Sequence, residues 1–166
     1  MEKTTSMLSI LEHIIKLYEE GYNPILILDI DDTVLSSKHG KKFTDKNIVK
    51  LVEYVDNISF DNLWFLTARN TELKRKTQNH LNHAKLLHKG KFIMYNVIHS
   101  PYYYGEPTKG TTLIDLIPRI EMRTNINKIT DKNWYIIVDD DLEQVNNMLE
   151  HLDFKIYNYS MFNFIN

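Results

Sequence analysis

The sequence predicts an α/β fold, a three-layer sandwich in which helices cover both faces of a central, mainly parallel sheet. Short apolar runs alternate along the chain with segments whose apolar residues recur at helical spacing, and this alternation is typical of βαβ units. Two of the runs, at residues 25–28 and 134–138, are continuously apolar and end directly in aspartates. A continuous apolar run predicts a strand that is buried on both faces.

The first part of the chain is predicted to contain two helices and two strands. Met7, Leu11 and Ile14 recur at helical spacing, and Gly21 supplies a stop after this helix. Thr44 is the candidate N-cap of the second helix, which has one apolar face. In order, the predicted elements are a helix over residues 5–20, a strand over 25–30, a loop over 33–43, a helix over 45–57 and a strand over 62–68.

The rest of the chain continues the alternation. Pro118 is expected to end the helix that begins at Lys109, because proline disfavours helical backbone at the preceding residue. His80 and His83 lie three residues apart on a polar helix and are expected on its solvated face. The predicted elements are a helix over residues 71–88, a strand over 91–98, a helix over 109–117, a strand over 134–138, a helix over 142–151 and a strand over 154–159.

Length and composition exclude several classes of protein. A chain of 166 residues predicts one domain over residues 1–166. The net charge of -2 does not favour a generally basic, nucleic-acid-binding surface, but it leaves a local patch open. The lack of cysteine excludes disulfides, thiolate metal sites and a cysteine nucleophile. No apolar run approaches the roughly 20 residues that span a bilayer, and no signal peptide is visible. We therefore expect a cytoplasmic protein without a membrane partner. The sequence does not predict its oligomeric state.

Chemically active side chains follow the predicted strands. Right-handed crossovers place the strand ends near residues 30, 67 and 138 at one edge of the sheet, where α/β proteins bind ligands. Carboxylates this close together repel one another unless a cation lies among them or one of them holds a proton. The side chains expected at this edge are Asp29, Asp31, Thr33, Thr67, Arg69, Lys109, Asp139 and Asp140.

This combination of side chains suits phosphoryl transfer. An aspartate can attack phosphorus to form an aspartyl-phosphate, and magnesium held by carboxylates offsets the repulsion between that nucleophile and the phosphate. A lysine and a hydroxyl can bind the phosphate oxygens that carry the transition-state charge. A second carboxyl group can protonate the leaving oxygen and then activate water.

Over about residues 25–145 the chain resembles the haloacid dehalogenase (HAD) superfamily of aspartate-nucleophile phosphotransferases. Its four motifs occur in order as Asp-Ile-Asp-Asp-Thr from Asp29, Phe-Leu-Thr-Ala-Arg around Thr67, Thr-Lys-Gly around Lys109 and Val-Asp-Asp around Asp139. The resemblance implies a Rossmann-like, HAD-like domain that acts as a Mg²⁺-dependent phosphomonoester hydrolase.

The same resemblance implies a role for each matching residue. Asp29 would be the nucleophile and a magnesium ligand, and Asp31 would be the general acid/base, with its backbone carbonyl also on the metal. Lys109 would neutralise the phosphate and the nucleophile. Thr67 and Ala68 would bind the phosphate. Asp139 would bind magnesium directly. Asp140 would bind magnesium through water or would instead hold Lys109.

Residues of the first motif indicate which branches of the superfamily the chain resembles most. Superfamily dehalogenases lack the second aspartate, so Asp31 favours phosphatases, ATPases and phosphomutases, which must protonate an oxygen leaving group. The motif is similar to that of the acid-phosphatase branch. Commoner members have glycine where this chain has Asp32, for which we expect a surface or capping role.

The spacing of the motifs bears on the substrate. Predicted elements fill the segments from Thr33 to Thr67 and from Thr67 to Lys109, leaving room for at most a minimal cap domain. We therefore expect an open cleft for a phosphorylated small molecule or an exposed macromolecular phosphate. Two alternatives stay open, a phosphatase dedicated to phosphoproteins or nucleic-acid ends and a non-catalytic HAD-like binding or regulatory module.

Three features near the motifs have two interpretations each. Arg69 either contacts the substrate phosphate or forms an ion pair. The run Tyr102–Tyr104, just before Lys109, either stacks on a base or sugar of the substrate or packs as an ordinary loop. Asp141 either adds to the metal site or serves as a helix N-terminal acid, the commoner role.

Overall fold

A six-stranded sheet forms the middle layer of the structure, a computed structural model that describes residues 1–38, 42–84, 86, 96–126, 132–153 and 156–166. All five strand pairs in these described residues are parallel, in the order β1-β6-β5-β2-β3-β4. The strands are β1 Glu2–Thr4, β2 Asn23–Leu28, β3 Leu63–Thr67, β4 Val97–His99, β5 Asn133–Asp139 and β6 Asn158–Phe164.

Helices cover both faces of this sheet, which confirms the predicted α/β three-layer fold. Alternate side chains of β2 enter two separate cores: Leu26 and Leu28 pack with α1, α2 and α3, whereas Ile25 and Ile27 pack with α4 and α5. Because both faces of β2 are buried, its sequence is apolar without alternation. The helices are α1 Met7–Glu19, α2 Ile48–Ile58, α3 Lys74–His83, α4 Lys109–Ile126 and α5 Leu142–His151, with short 3₁₀ turns at Phe60–Asn62 and Thr71–Leu73.

The order of the strands fixes where a ligand can enter. From β2 the chain continues to β3 and β4 on one side, and then returns to place β5 and β6 on the other. The loops after β2 and β5 therefore diverge, and in open α/β sheets a crevice forms at such a reversal. In the described parts of the connections from β2 to β3 and from β3 to β4, no cap domain is inserted.

Helices α4 and α5 approach each other closely at Gly110. A Cβ at this position would lie 2.5 Å from the backbone oxygen of Asn147 and 2.5 Å from His151 Nδ1. The Gly110 N–H donates to Asn147 Oδ1 at 2.6 Å, and the Lys109 N–H donates to Gln144 Oε1 at 3.0 Å. Side chains of α5 thus bind amide groups that the first turn of α4 leaves without helical partners.

Several predicted boundaries were wrong. Helix α4 continues through Pro118 to Ile126, because Leu116, Ile117 and Ile120 are buried and their packing outweighs the hydrogen bond that proline removes. The predicted strand over 154–159 begins instead at Asn158, and residues 154–155 lie outside the described residues. Strand β1 was missed because it has only three residues.

Other differences concern helix ends. Helix α2 begins at Ile48, so Thr44 is not its N-cap; its hydroxyl donates to the backbone oxygen of Thr33 instead. The predicted helix over 71–88 has its regular α-helical part at Lys74–His83, and residues 85, 87 and 88 lie outside the described residues. Most of the predicted strand over 91–98 lies there too, with β4 at its end.

No helix in the described part of the chain combines the length and the apolar character needed to cross a membrane.

We predict that Gly110→Ala will destabilise the fold despite the higher helix propensity of alanine. The new methyl group meets the backbone of α5, and overpacking of this kind costs about 1–3 kcal/mol of unfolding free energy. Urea denaturation followed by circular dichroism measures the change. Asp115→Ala, an exposed position on the same helix, is the matched control and should change stability by less than about 0.5 kcal/mol; equal effects of the two variants would contradict the packing argument.

Candidate functional site

The candidate site is a cleft of about 390 Å³ at the strand ends where the direction of the sheet order reverses. Asp29 follows β2, and Asp139 is the last residue of the neighbouring strand β5. The structure thus brings together residues that are far apart in sequence. The lining residues are Asp29, Asp31, Ala68, Arg69, Lys109, Asp139, Asp140 and Asp141.

Lys109 is the central cation of this cleft, and its side chain is only 1% exposed. Its Nζ donates to Asp29 Oδ1 at 2.9 Å and to Asp139 Oδ2 at 2.5 Å. Burial acts to lower the pKa of Lys109, but the charges and hydrogen bonds of the two aspartates outweigh it and hold the pKa above its usual range. Lys109 therefore stays charged, and it links the ends of β2 and β5.

Thr33 supplies a second link between these strand ends. Its hydroxyl donates to Asp29 Oδ2 at 2.8 Å and accepts the backbone N–H of Asp140 at 2.9 Å. Asp140 Oδ1 lies 3.2 Å from the same hydroxyl, which has a single proton to donate. The threonine four residues after Asp29 thereby orients the aspartate and fixes the loop that carries Asp140.

Asp29, Asp139 and Asp140 form a cluster in which one oxygen of each lies within 4.8 Å of the others. Burial and then the charge of Asp29 raise the pKa of Asp139, although Lys109 partly opposes them. Burial, followed by the hydrogen bond and the charge of Asp29, raises the pKa of Asp140. The cluster carries more negative charge than Lys109 alone can balance.

Asp31 lies in the same cleft but pairs with a different cation. Arg69 Nε and Nη2 donate to its two carboxylate oxygens, each at 2.8 Å. Burial acts to raise the pKa of Asp31, but the hydrogen bonds and charge of Arg69 outweigh it and lower the pKa from its usual value. In this arrangement Asp31 is a carboxylate. Of the two roles considered for Arg69, a contact with the substrate phosphate or an ion pair, the structure has the ion pair.

Helix α3 holds Arg69 in position. Arg69 Nη1 lies 3.3 Å from Thr77 Oγ1 and 2.9 Å from His80 Nδ1. The placement of His80 on a solvated face was therefore wrong, whereas His83 is exposed. The reason is that Arg69 reaches back over the first turns of α3, a contact that helical periodicity does not reveal.

Thr67 and Ala68 occupy the end of β3. The Thr67 side chain is buried, and its hydroxyl accepts the backbone N–H of Arg69 at 3.1 Å. Ala68 lines the cleft, whereas the buried Thr67 is not among the lining residues. Thr67 thus shapes the turn that carries Ala68 and Arg69, and its predicted contact with a phosphate remains a prediction.

Asp32 and Asp141 have capping roles. Asp32 has a left-handed backbone, with φ 61°, and its carboxylate accepts the N–H and hydroxyl of Ser37. Glycine adopts this conformation without strain, and aspartate tolerates it better than most residues. Asp141 is the N-cap of α5, where its Oδ1 accepts the Glu143 N–H at 3.0 Å.

Three amides that support the site were missed in the sequence. Gln144 and Asn147 hold the start of α4, and Asn163 Nδ2 donates at 3.2 Å to the backbone oxygens of both Asp139 and Asp140. Asn163 is buried between Phe162 and Phe164. A buried amide needs a partner, so an asparagine inside this apolar run was a usable signal.

Comparisons of the chain with models of protein families, with curated proteins and with solved structures gave no match. The interpretation of the cleft therefore rests on its geometry and chemistry.

Proposed function

We propose that the protein is a Mg²⁺-dependent phosphomonoester hydrolase that forms an aspartyl-phosphate on Asp29. The observation that carries this proposal is the buried contact of Lys109 with both Asp29 and Asp139 at the point where the strand order reverses. A buried ammonium between two carboxylates is a costly arrangement that hydrophobic packing would often replace at no loss of stability. Its presence in a cleft is well suited to binding and neutralising a phosphate.

The charges in the cleft favour a divalent cation. Asp29, Asp139 and Asp140 supply three carboxylates and Lys109 one ammonium, which leaves two negative charges when all are ionised. Magnesium holds oxygen ligands at about 2.0–2.1 Å in an octahedron, so its ligands lie roughly 3–4 Å from one another. Each of the three carboxylates has an oxygen within 4.8 Å of the other two, close enough for small side-chain adjustments to bring them around one such ion. When bound, the ion offsets the repulsion between the nucleophile and the substrate phosphate.

The protein's own residues divide the reaction between two carboxylates. Asp29 attacks phosphorus, so that an Asp29–phosphorus bond forms while the ester oxygen leaves with a proton from Asp31. Asp31 then takes a proton from water, which attacks phosphorus and releases Asp29 and inorganic phosphate. Lys109 holds one Asp29 oxygen and Thr33 the other, which orients the nucleophile before the substrate arrives.

Arg69 couples substrate binding to the state of Asp31. As long as Arg69 pairs with it, Asp31 is a poor general acid because its pKa is lowered. Arginine binds phosphate oxygens as readily as carboxylates, so a phosphate in the cleft competes for Arg69. Release of Asp31 then removes the interaction that holds its pKa down and allows it to take up a proton.

We predict that Asp29→Asn will lower Mg²⁺-dependent hydrolysis of 4-nitrophenyl phosphate at least about 1,000-fold, because an amide is a poor nucleophile toward phosphorus. Asp32→Asn is the matched control, since Asp32 caps a loop outside the cleft, and it should keep activity within about threefold. Release of 4-nitrophenolate measures both variants. Full activity in Asp29→Asn would contradict the nucleophile assignment.

We predict that the metal-free protein will lose thermal stability as the pH rises from about 5 to 8, with little further loss at higher pH. Burial and the neighbouring carboxylates raise the pKa of Asp139 to about 7 and that of Asp140 to about 8. A carboxyl whose folded pKa lies above its unfolded value stabilises the fold when protonated, so that stability is lost as pH rises through the folded pKa. Melting temperatures in buffers containing a chelator measure the effect.

Magnesium should reverse this loss. At pH 8.5 saturating Mg²⁺ should raise the melting temperature by several degrees, because a ligand at 100 times its Kd stabilises by about 2.7 kcal/mol. The increase should be smaller at pH 7.0, where protons compete for the carboxylates, and smaller in Asp140→Asn at either pH. NaCl at matched ionic strength is the control; an equal response to NaCl would count against a specific site.

A further inference from the structure

A tight hairpin after β4 displays two aromatic rings to solvent. The backbone N–H groups of Tyr103 and Glu106 each donate to the other residue's oxygen at 2.9 Å, which closes a two-residue turn at Tyr104 and Gly105. Both turn residues have positive φ, 49° and 77°, as a type I′ turn requires. Tyr103 is 68% exposed and Tyr104 88% exposed, and their ring centroids are 4.5 Å apart, edge to face.

These rings do not pack as an ordinary loop would. Left-handed backbone is unusual for a bulky residue such as Tyr104, and exposure forgoes the burial that makes aromatic residues stabilising. The hairpin therefore accepts a strained residue and presents a paired aromatic surface from which the fold itself gains little. Tyrosine pairs of this kind are suited to stacking against a planar group.

The hairpin is fastened beside the cleft. The Tyr102 hydroxyl donates to Asp141 Oδ2 at 2.5 Å, and Asp141 lines the cleft. The segment that carries the hairpin runs from Pro101 to Thr108, which directly precedes Lys109. The Thr108 hydroxyl donates to the backbone oxygen of Pro101 at 2.8 Å and so closes this segment. The two rings thus stand on a closed segment that the Tyr102 hydroxyl ties to Asp141, a residue that lines the cleft.

Cationic side chains lie at the start of α3, the helix that follows β3 at the edge of the sheet where the cleft opens. Lys74, Arg75 and Lys76 are exposed in the first turn of α3, the helix against which Arg69 packs. Helix α3 covers one face of the sheet, whereas Tyr102 contacts the start of α5 on the other face. The helix dipole disfavours three cations at this position, so helix stability does not account for them. An aromatic hairpin and a cationic helical turn therefore lie toward opposite faces of the sheet at the edge that carries the cleft.

We propose that Tyr103 and Tyr104 form a stacking platform for the bases of a single-stranded nucleic acid whose terminal phosphomonoester occupies the cleft. The proposal rests on the proposed phosphatase function and names its substrate class. Lys74, Arg75 and Lys76 contact the backbone phosphates next to that end. A phosphopeptide offers neither a series of planar bases nor a series of phosphates, so it matches the aromatic hairpin and the cationic turn of α3 less well.

We predict that Tyr103→Ala/Tyr104→Ala will lower kcat/KM for an oligothymidylate carrying a 3′- or a 5′-phosphate by about 10- to 100-fold, because base–aromatic stacking supplies affinity of that size. Hydrolysis of glycerol 2-phosphate, which has no ring, should change less than about twofold. Tyr103→Phe/Tyr104→Phe keeps the rings and should restore oligonucleotide hydrolysis. Released phosphate measures every substrate. An equal loss on both substrate types, or no loss on the oligonucleotides, overturns the platform.

The salt dependence of oligonucleotide hydrolysis tests the proposed contacts of the three cations. Lys74→Ala/Arg75→Ala/Lys76→Ala should lower oligonucleotide kcat/KM and flatten its dependence on the logarithm of salt concentration, since fewer counterions are released. Equal kcat/KM for thymidine monophosphate and the oligonucleotide, or a preference for phosphopeptides, overturns the assignment.

Binding separates this proposal from the catalytic one. Fluorescence anisotropy of a labelled, phosphorylated oligothymidylate should report tighter binding to Asp29→Asn than to the same variant that also carries Tyr103→Ala/Tyr104→Ala. Such a difference supports the platform even if the wild-type protein hydrolyses no phosphoester, which would sink the proposed function alone. Equal binding overturns the platform even if hydrolysis is observed.

Discussion

The contact of buried Lys109 with Asp29 and Asp139 is the interaction on which the rest of the site depends. Removing one member of a buried ion pair leaves an uncompensated charge and costs about 3–5 kcal/mol, so these side chains are energetically interdependent. Their positions hold the ends of β2 and β5 at a fixed separation. The parallel sheet brings the two strands together, and the lysine makes their carboxylates compatible with burial.

The surrounding structure can be understood as support for this contact. Gly110 lets α5 approach the start of α4, where Gln144 and Asn147 bind the amides of Lys109 and Gly110. On the opposite side, Thr33 bonds to Asp29 and to the backbone of Asp140. The supporting residues carry no charge themselves: they are Gly110, Gln144, Asn147 and Thr33. Each supporting residue restricts the movement of a charged side chain of the cleft. Restriction of this kind orients a site before its ligand arrives.

The sequence was sufficient for the α/β fold class and for the strands that lead to Asp29, Thr67 and Asp139, and insufficient for β1 and for the side-chain partners. Apolar runs identify buried strands because β2 must satisfy two cores at once, and parallel connections then bring Asp29 near Asp139. Pro118 misled the prediction because tertiary packing, which local rules omit, carries α4 past it. The pairing of Asp31 with Arg69, and of Arg69 with His80, depends on the three-dimensional approach of α3, which sequence periodicity does not encode.

The proposed mechanism requires that Asp29 itself becomes phosphorylated during turnover. The most direct measurement is acid quenching of the protein during hydrolysis of a phosphomonoester with Mg²⁺, followed by proteolysis and mass spectrometry of the peptide that contains Asp29. We expect a peptide heavier by one phosphoryl group, with the modification on Asp29 and absent when Mg²⁺ is removed. Sustained hydrolysis with the phosphoryl group on another residue, or on none at all, would contradict it.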